Sequence, residues 1–140
     1  LVDQLHLENV IFTGRVDIIS YMEKLDFTIL TSISEGQPLS VLESFAARRP
    51  CVTTDVGCCR ELLNGNEEDR YGKAGYCVPP MYREGLAQAM DRMCASRARR
   101  LRMGENAQKR VKAYYRKEEM IEKYRKMYQE VEEADGRNRI

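Results

Sequence analysis

The sequence predicts an α/β fold, in which a parallel sheet is flanked by helices and followed by further helices. Two observations lead to this class. Short apolar segments rich in β-branched residues alternate with segments of helical periodicity as far as Pro80, and beyond Arg83 the periodicity is helical throughout. Such alternation is typical of parallel β-α-β units with right-handed crossovers. The 140 residues suffice for one domain with its own core.

The first part of the chain contains four predicted strands separated by helices. The strands are expected at residues 9–14, 27–32, 51–55 and 75–78. The helices are expected at residues 17–25, from Leu39 to a stop at Pro50, and at residues 58–64. The residues of the first helix that are expected to face inward are Ile18, Ile19, Met22 and Leu25. The polar residues 66–73 form a predicted surface loop.

Three further helices are predicted after the sheet, over residues 83–95, 97–115 and 117–134. Residues 97–112 hold seven Lys or Arg against one Glu. One interpretation of this charge is a solvated helix face. The other is a sheltered contact with an anionic lipid or a polymer precursor.

Composition excludes several classes of function. The chain has 23 basic and 22 acidic residues, so its net charge gives no attraction to nucleic acid or to a membrane surface. The five cysteines are odd in number and form no Cys-x-x-Cys pair, and there is one histidine. This pattern indicates neither a zinc site nor a disulfide framework. We therefore expect that the protein binds no metal. We also expect that it resides in the reducing cytoplasm.

The turn between the strand at 27–32 and the next helix is the candidate site. Gly36 is expected to let the backbone take a conformation closed to other residues. Pro38 suits the first turn of the helix. The unpaired backbone donors would then be the amides of Leu39, Ser40 and Val41. Because they lie at the positive end of a helix dipole, they predict a phosphate site.

Two carboxylates flank this turn. Glu35 precedes the helix and Glu43 lies inside it, more than one turn from its start. One carboxylate would reach hydroxyls on one side of a bound diphosphate, and the other would reach hydroxyls on the opposite side. A sugar nucleotide has this layout. The plain alternative is two solvated surface glutamates beside an ordinary loop.

Topology predicts that three loops share one edge of the sheet. Ligands of parallel α/β sheets bind beyond the carboxyl ends of the strands. This rule places Gly14-Arg15, residues 34–40 and residues 55–58 along one rim. Asp55, in the last of these loops, is expected to cap the following helix.

The stretch from Glu35 to Glu43 resembles the Glu-x7-Glu motif of retaining GT-B glycosyltransferases of family 4. The resemblance continues through the proline, strand and Asp-Val-Gly turn of residues 43–57, and it extends from about residue 9 to residue 130. The amino-acid sequence of residues 31–39, 59–63 and 71–75 is most similar to that of the Pel exopolysaccharide glycosyltransferases. The resemblance implies a Rossmann-like sheet that forms the carboxyl-terminal half of a GT-B fold.

The resemblance also implies roles for single residues. Glu35 would lie near hydroxyls of the donor sugar in the catalytic centre, and Glu43 would bind the ribose hydroxyls. The turn residues implied to bind the donor beside Glu43 are Gly36, Gln37, Pro38, Leu39 and Ser40. Pro38 replaces the glycine of many relatives and removes one N–H. Gly14 and Arg15 match the loop that contacts the base, although Arg15 suits an exposed loop arginine equally well.

The implied domain is truncated. Residues 1–115 would form the nucleotide-sugar-binding unit, and residues 116–140 a helix that crosses to an amino-terminal domain in intact relatives. The acceptor domain is not represented, and neither is the segment that supplies an arginine and a lysine to the leaving diphosphate. The fragment is therefore expected not to turn over by itself. The apolar residues of its last helix are expected either to pack on a neighbouring chain, so that the fragment self-associates, or to fold back on the domain.

The implied enzyme moves a hexose, with UDP-glucose as the expected donor, to a growing polysaccharide. It would need no cofactor or metal, bind no nucleic acid, and work beside a membrane-bound polymer synthase. Two alternatives stay open. One is another GT-B enzyme, such as a nucleotide-sugar epimerase. The other is a non-catalytic nucleotide- or anion-binding module, in which the basic residues 97–112 would hold nucleic acid or another anionic partner.

Overall fold

The computed structural model describes residues 1–137 and contains a parallel sheet of three strands. They are β1 (Thr28–Leu30), β2 (Cys51–Thr54) and β3 (Gly75–Val78), in the order β1-β2-β3. Val52 of the central strand is in register with Ile29 on one side and Tyr76 on the other. The predicted α/β class with a parallel sheet is confirmed.

Six α-helices surround and follow the sheet in the described chain. They are α1 (Ile18–Met22), α2 (Leu39–Ala46), α3 (Cys59–Asn64), α4 (Arg83–Cys94), α5 (Arg97–Tyr114) and α6 (Lys117–Arg137). A 3-10 turn at Asp3–Leu5 precedes them. The end of the predicted unit 116–140, at residues 138–140, lies outside the described residues. No helix within residues 1–137 combines the length and the apolar character needed to span a membrane.

Both faces of β2 are covered, so all four of its residues are buried. Successive side chains of a strand point to opposite faces. Cys51 belongs to the first apolar cluster, whose other members lie mainly on α2, α3 and α5: Val41, Phe45, Leu62, Leu63, Ala74, Ala107 and Val111. Val52 belongs to the second cluster, with Ala89, Met93 and Met103 of α4 and α5. The sheet is therefore a middle layer between helices.

The predicted strand at residues 9–14 is wrong. This segment has no regular secondary structure, and Ile11 and Phe12 are 82% and 81% exposed. A strand forms only where its backbone groups pair with a neighbour. The described sheet ends at β1, and no strand stands next to residues 9–14. The apolar alternation of this segment is therefore not used in the described fold.

The prediction of four inward-facing residues in the first helix is wrong for two of them. Ile18 is 43% exposed and Ile19 is 77% exposed, whereas Met22 is buried and Leu25 is half-buried. Residues 18 and 22 share one face of a helix, but residue 19 lies about 100° away from that face. The shared face borders an open apolar hollow of about 370 Å³ beside the edge strand β1, so Ile18 stays in contact with solvent.

The basic stretch at residues 97–112 is only partly a solvated face. Arg99 donates to the hydroxyl of Tyr76 at 3.2 Å. Arg100 donates to the carbonyl of Met93 at 2.8 Å. Arg110 is 1% exposed. Three of the seven basic residues therefore bind within the protein, which reduces the charge that this stretch presents to an external anion.

Candidate functional site

The turn from β1 into α2 ends in an open helix terminus. The helix begins at Leu39, and Pro38 occupies the N-cap position with extended backbone angles (φ −72°, ψ 114°). No side chain caps the terminus. Pro38 thus lies one position before the first helical turn in which it was predicted, and its fixed φ suits this place equally well.

Two amides at the start of α2 are available as donors, not three. Within residues 1–137, the N–H groups of Leu39 and Ser40 make no hydrogen bond. The amide of Val41 donates to the carbonyl of Pro38 at 3.2 Å, so the prediction of a free amide is wrong for Val41. Its partner is supplied because the extended Pro38 turns its carbonyl into the first helical turn. The two remaining donors lie at the positive end of the helix dipole.

The two glutamates flank this terminus with free carboxylates. Glu35 is half-buried and precedes the helix, and Glu43 is exposed within it. Among the described residues, neither side chain forms a hydrogen bond or an ion pair. Both carboxylates are therefore available to hydrogen-bond donors from outside the described chain.

The loop after β2 supports the turn. The amide of Cys58 donates to the carbonyl of Gly36 at 3.1 Å. A Cβ atom built on Gly57 would lie 2.3 Å from the carbonyl oxygen of Glu35. Two of the three loops that were predicted to share the rim are thus in direct contact.

The expectation of a special backbone conformation at Gly36 is wrong. Its φ does not lie in the left-handed region, and a Cβ there would meet no atom within 4 Å. The glycine that the turn requires is Gly57, with φ +52° and no room for a side chain. The sequence signal was present as the Asp-Val-Gly turn after β2, but it gave no indication of what this glycine contacts.

The third predicted loop stands apart from this contact. Gly14 has φ +65°, and both Gly14 and Arg15 are exposed. Within the described chain, no hydrogen bond joins either residue to the turn or to residues 55–58. The loop lacks the strand that was expected to present it at the rim, because residues 9–14 have no pairing partner.

A groove of about 640 Å³ separates the start of α2 from α6. Gln37, Leu39 and Leu42 line one wall, and neither Glu35 nor Glu43 reaches it. The opposite wall is partly basic and partly apolar, and it consists of Tyr114, Tyr115, Arg116, Lys117, Glu119, Met120, Lys123, Tyr124 and Met127. Sequence reasoning missed this groove, although the Met and Tyr spacing in 117–134 marked its apolar wall.

Asp55 does not cap α3, contrary to expectation. Its carboxylate accepts from Arg60 Nε at 3.1 Å and from the Cys77 thiol at 3.5 Å. The hydrogen bond from Arg60 is the main reason why the pKa of Asp55 lies below its usual value. Asp55 is therefore held by an ion pair at the carboxyl end of β2.

The cysteines near the turn are unsuited to nucleophilic chemistry. Burial raises the pKa of the Cys77 thiol to about 11 and that of Cys51 to about 12. Burial also raises the pKa of Cys58 and Cys59. Only a thiolate is an effective nucleophile. These thiols stay protonated near neutral pH, and the buried ones, Cys51 and Cys59, pack as small core residues.

The sheet, its flanking helices and the open terminus of α2 define a Rossmann-like α/β domain. More particularly, the chain belongs to the family of glycosyl transferases group 1, whose family model matches residues 1–110. The matched range includes the turn into α2, both glutamates and the loop that contains Gly57.

Curated relatives agree with this family. The chain is 28% identical over 142 residues to N-acetyl-alpha-D-glucosaminyl L-malate synthase of Bacillus anthracis, covering all of this chain and 36% of the relative. It is 30% identical over 109 residues to the lipopolysaccharide core biosynthesis mannosyltransferase LpcC of Rhizobium leguminosarum, covering 77% of this chain and 29% of the relative. The chain therefore spans about a third of the length of these relatives.

Solved structures share the fold. Sucrose-phosphate synthase of Thermosynechococcus elongatus superposes with a TM-score of 0.83 at 25% identity, over 95% of this chain and 33% of that one. A mutant of S. aureus TarM, in complex with fondaparinux, alpha-GlcNAc-glycerol and UDP, superposes with a TM-score of 0.76 at 21% identity, over 91% and 25%. Both neighbours align with nearly the whole of this chain.

Proposed function

We propose that this chain is the donor-binding half of a retaining glycosyltransferase with the GT-B fold. The observation that carries the proposal is the family match over residues 1–110, which contains the open terminus of α2 between two free carboxylates. Because the chain spans about a third of its relatives, the activity, substrates and partners of the whole enzyme are part of this proposal.

The proposed chemistry divides the donor among three groups. The free amides of Leu39 and Ser40, with the helix dipole, hold the diphosphate and stabilise the charge that develops as it leaves. Glu43 accepts hydrogen bonds from the ribose hydroxyls. Glu35 accepts hydrogen bonds from the donor sugar in the catalytic centre. Hydrogen bonds to charged groups contribute about 1.5–3 kcal/mol each, so either carboxylate matters for affinity.

Other residues complete the proposed site. Gly36, Gln37 and Pro38 shape the turn around the diphosphate. Gly14 and Arg15 contact the base. This contact requires residues 9–14 to pair with a neighbouring strand, which the described sheet does not provide. The protein supplies all of the stabilising donors in this scheme, so no metal or cofactor takes part.

The donor and the biological setting are proposed from resemblance. The similarity to the Pel exopolysaccharide glycosyltransferases supports UDP-glucose as donor and a growing polysaccharide as acceptor of the hexose. A UDP complex of a protein that shares the fold is consistent with a uridine nucleotide. The enzyme would work in the cytoplasm beside a membrane-bound polymer synthase, without binding nucleic acid.

We further propose the domain division of such an enzyme for this sequence. Residues 1–115 form the nucleotide-sugar-binding unit, and residues 116–140 cross to an amino-terminal domain that binds the acceptor. In the chain by itself, the exposed apolar residues of α6 mediate self-association.

Calorimetric titration of UDP tests the nucleotide site. We expect Glu43→Ala to weaken UDP binding at least tenfold, since two charge-assisted hydrogen bonds to the ribose are lost. Glu84→Ala is the matched control, because Glu84 is also exposed on a helix but lies outside the site. Equal affinities of wild type and Glu43→Ala would remove Glu43 from the site.

A second titration separates the two glutamates. We expect Glu35→Ala to weaken the binding of UDP-glucose while leaving that of UDP unchanged, because Glu35 contacts the sugar and not the nucleotide. In the full-length protein, release of UDP with transfer of glucose supports a transferase. Conversion of the donor to its epimer without transfer would replace the proposal with a nucleotide-sugar epimerase.

A further inference from the structure

Gly57 lies directly against the backbone of the turn. A Cβ atom at this position would lie 2.3 Å from the carbonyl oxygen of Glu35 and 2.4 Å from that of Gly36. We infer that Gly57 is a positioning residue of the donor site, because it sets the place of the peptide that carries Glu35. The role of Gly57 in donor binding rests on the proposed function, whereas its contact with the turn does not depend on that proposal.

The approach leaves no room for any other residue. Contacts of 2.3 Å do not occur between a Cβ and an oxygen, and the opposing atoms belong to the backbone, which cannot rotate away as a flexible side chain would. Gly57 also has φ +52°, which disfavours residues with a side chain. A substitution at this position must therefore displace the turn or residues 57–58.

Residues 57–58 are the better anchored of the two partners. Cys58 is the N-cap of α3, the amide of Cys59 donates to the carbonyl of Val56 at 3.0 Å, and the Cys59 side chain is fully buried. At the other end of α3, the carbonyls of Leu62 and Leu63 accept from the buried Arg110 at 3.0 and 3.3 Å. The helix is fixed at both ends, whereas Glu35 makes no side-chain hydrogen bond. We therefore expect the turn to move.

A shift of the turn affects the site in a defined way. The peptide of Glu35 carries the carboxylate that is proposed to meet the donor sugar, and the free amides of Leu39 and Ser40 follow a few residues later. Displacement moves the carboxylate of Glu35 relative to the amides of Leu39 and Ser40 and to Glu43, all three of which belong to α2. The site then loses its geometry without losing any of its own side chains.

The test compares two glycines that both have positive φ. Gly57→Ala introduces the backbone clash. Gly72→Ala introduces similar strain (φ +89°), but its Cβ would meet only the side chain of Asn106 at 3.2 Å. We expect Gly57→Ala to shift the backbone amide resonances of residues 35–40 and to weaken UDP-glucose binding at least tenfold. We expect Gly72→Ala to leave these resonances unchanged and the affinity within twofold of wild type.

A third variant separates the contact from the strain. Asparagine tolerates the left-handed region but has a Cβ. We expect Gly57→Asn to shift the same resonances as Gly57→Ala; recovery of the wild-type resonances and affinity would make strain the cause and overturn the inference. Unchanged resonances of residues 35–40 in Gly57→Ala would overturn it as well, and so would equal shifts in Gly72→Ala.

Failure of the proposed function and failure of the positioning role give different results. If the wild-type chain does not bind UDP-glucose, the proposed function fails, and the resonances of residues 35–40 alone decide the positioning role. If Gly57→Ala does not fold, hydrogen exchange in the wild-type protein decides it. The Cys58 amide is then expected to be protected by its bond to Gly36, and exchange as fast as in an open loop would overturn the inference.

Discussion

Arg110 and Asp69 form an ion pair with almost no contact with solvent, although 41 residues separate them in the sequence. Their side chains are 1% and 2% exposed, and Arg110 Nη2 lies 3.1 Å from Asp69 Oδ1. Arg110 also donates to the carbonyls of Leu62, Leu63 and Gly72. One guanidinium thus joins α5, the end of α3 and the loop before β3.

Loss of this arginine should be costly. We expect Arg110→Met to lower the free energy of unfolding by about 3–5 kcal/mol, because it leaves the buried Asp69 carboxylate without its partner. Arg48→Met is the matched control, since Arg48 pairs with Glu105 while both side chains are about half exposed. We expect this control to cost less than about 1 kcal/mol. Urea denaturation measures both values, and equal losses would contradict a special role for the buried pair.

The same pair predicts a dependence of stability on pH. Burial alone would raise the pKa of Asp69, but hydrogen bonds from Arg110 and the Tyr71 amide outweigh it, so the pKa is lowered. The unfolded chain then binds the proton more tightly than the folded chain. The contribution of Asp69 is therefore present above the unfolded pKa of about 3.9 and is lost as pH falls through the lower folded pKa.

Thermal unfolding from pH 6 to pH 2.5 measures this effect. We expect wild type to lose stability more steeply below pH 4 than Asp69→Asn, in which the titrating carboxylate is absent. Asp55→Asn is the control, because the pKa of Asp55 is also lowered but its partner Arg60 is largely exposed. Parallel curves for wild type and Asp69→Asn would rule out Asp69 as a source of the acid sensitivity.

Packing of α5 against the end of α2 depends on Gly104. A Cβ at this position would lie 2.1 Å from the carbonyl oxygen of Arg48. We expect Gly104→Ala to destabilise the fold by about 1–3 kcal/mol, as overpacking of a close helix contact does. Gly85→Ala in α4 is the comparison, since the three atoms nearest to the added carbon all belong to the ring of the partly exposed Tyr82, which can rotate. A smaller loss for Gly104→Ala than for Gly85→Ala, in urea titrations, would contradict this account.

Self-association through α6 is the remaining prediction. Met120, Tyr124, Met127 and Tyr128 are 52–67% exposed, so their apolar surface gains from cover. We expect sedimentation velocity to detect dimers of the chain at high concentration and Tyr124→Ser/Met127→Ser to abolish them. Lys126→Ser/Glu130→Ser on the same helix should not. A wild-type chain that remains monomeric throughout would refute the idea.

Local signals explain what the sequence predicted correctly. The turn into α2 was found because the hydrophobic period changes from strand to helix around a Gly and a Pro, and these effects act within a few residues. Residues 9–14 have an equally good local pattern for a strand. The prediction is wrong there because a strand also needs a neighbouring strand, and a local pattern contains no information about that neighbour.

Long-range contacts explain what was missed. For Arg110, as for the other basic residues of 97–112, the sequence indicates solvent or an external anion as the partner, because charge is visible in a sequence but the carbonyls that bury Arg110 lie 47 and 48 positions away. The glycines of the turn illustrate the same limit. Gly36 was singled out for its place in the motif, whereas Gly57 carries the constraint, because it meets a backbone that is distant along the chain.

The outer side of β1 has a practical consequence for work with this chain. In the part of the chain that the structure describes, its backbone groups face no neighbouring strand, and apolar side chains surround the hollow beside it. Bare strand edges of this kind act as templates for pairing between molecules and promote aggregation. We therefore expect concentrated samples to aggregate by pairing of β1 edges between molecules. A charged substitution such as Ile29→Lys should slow this aggregation.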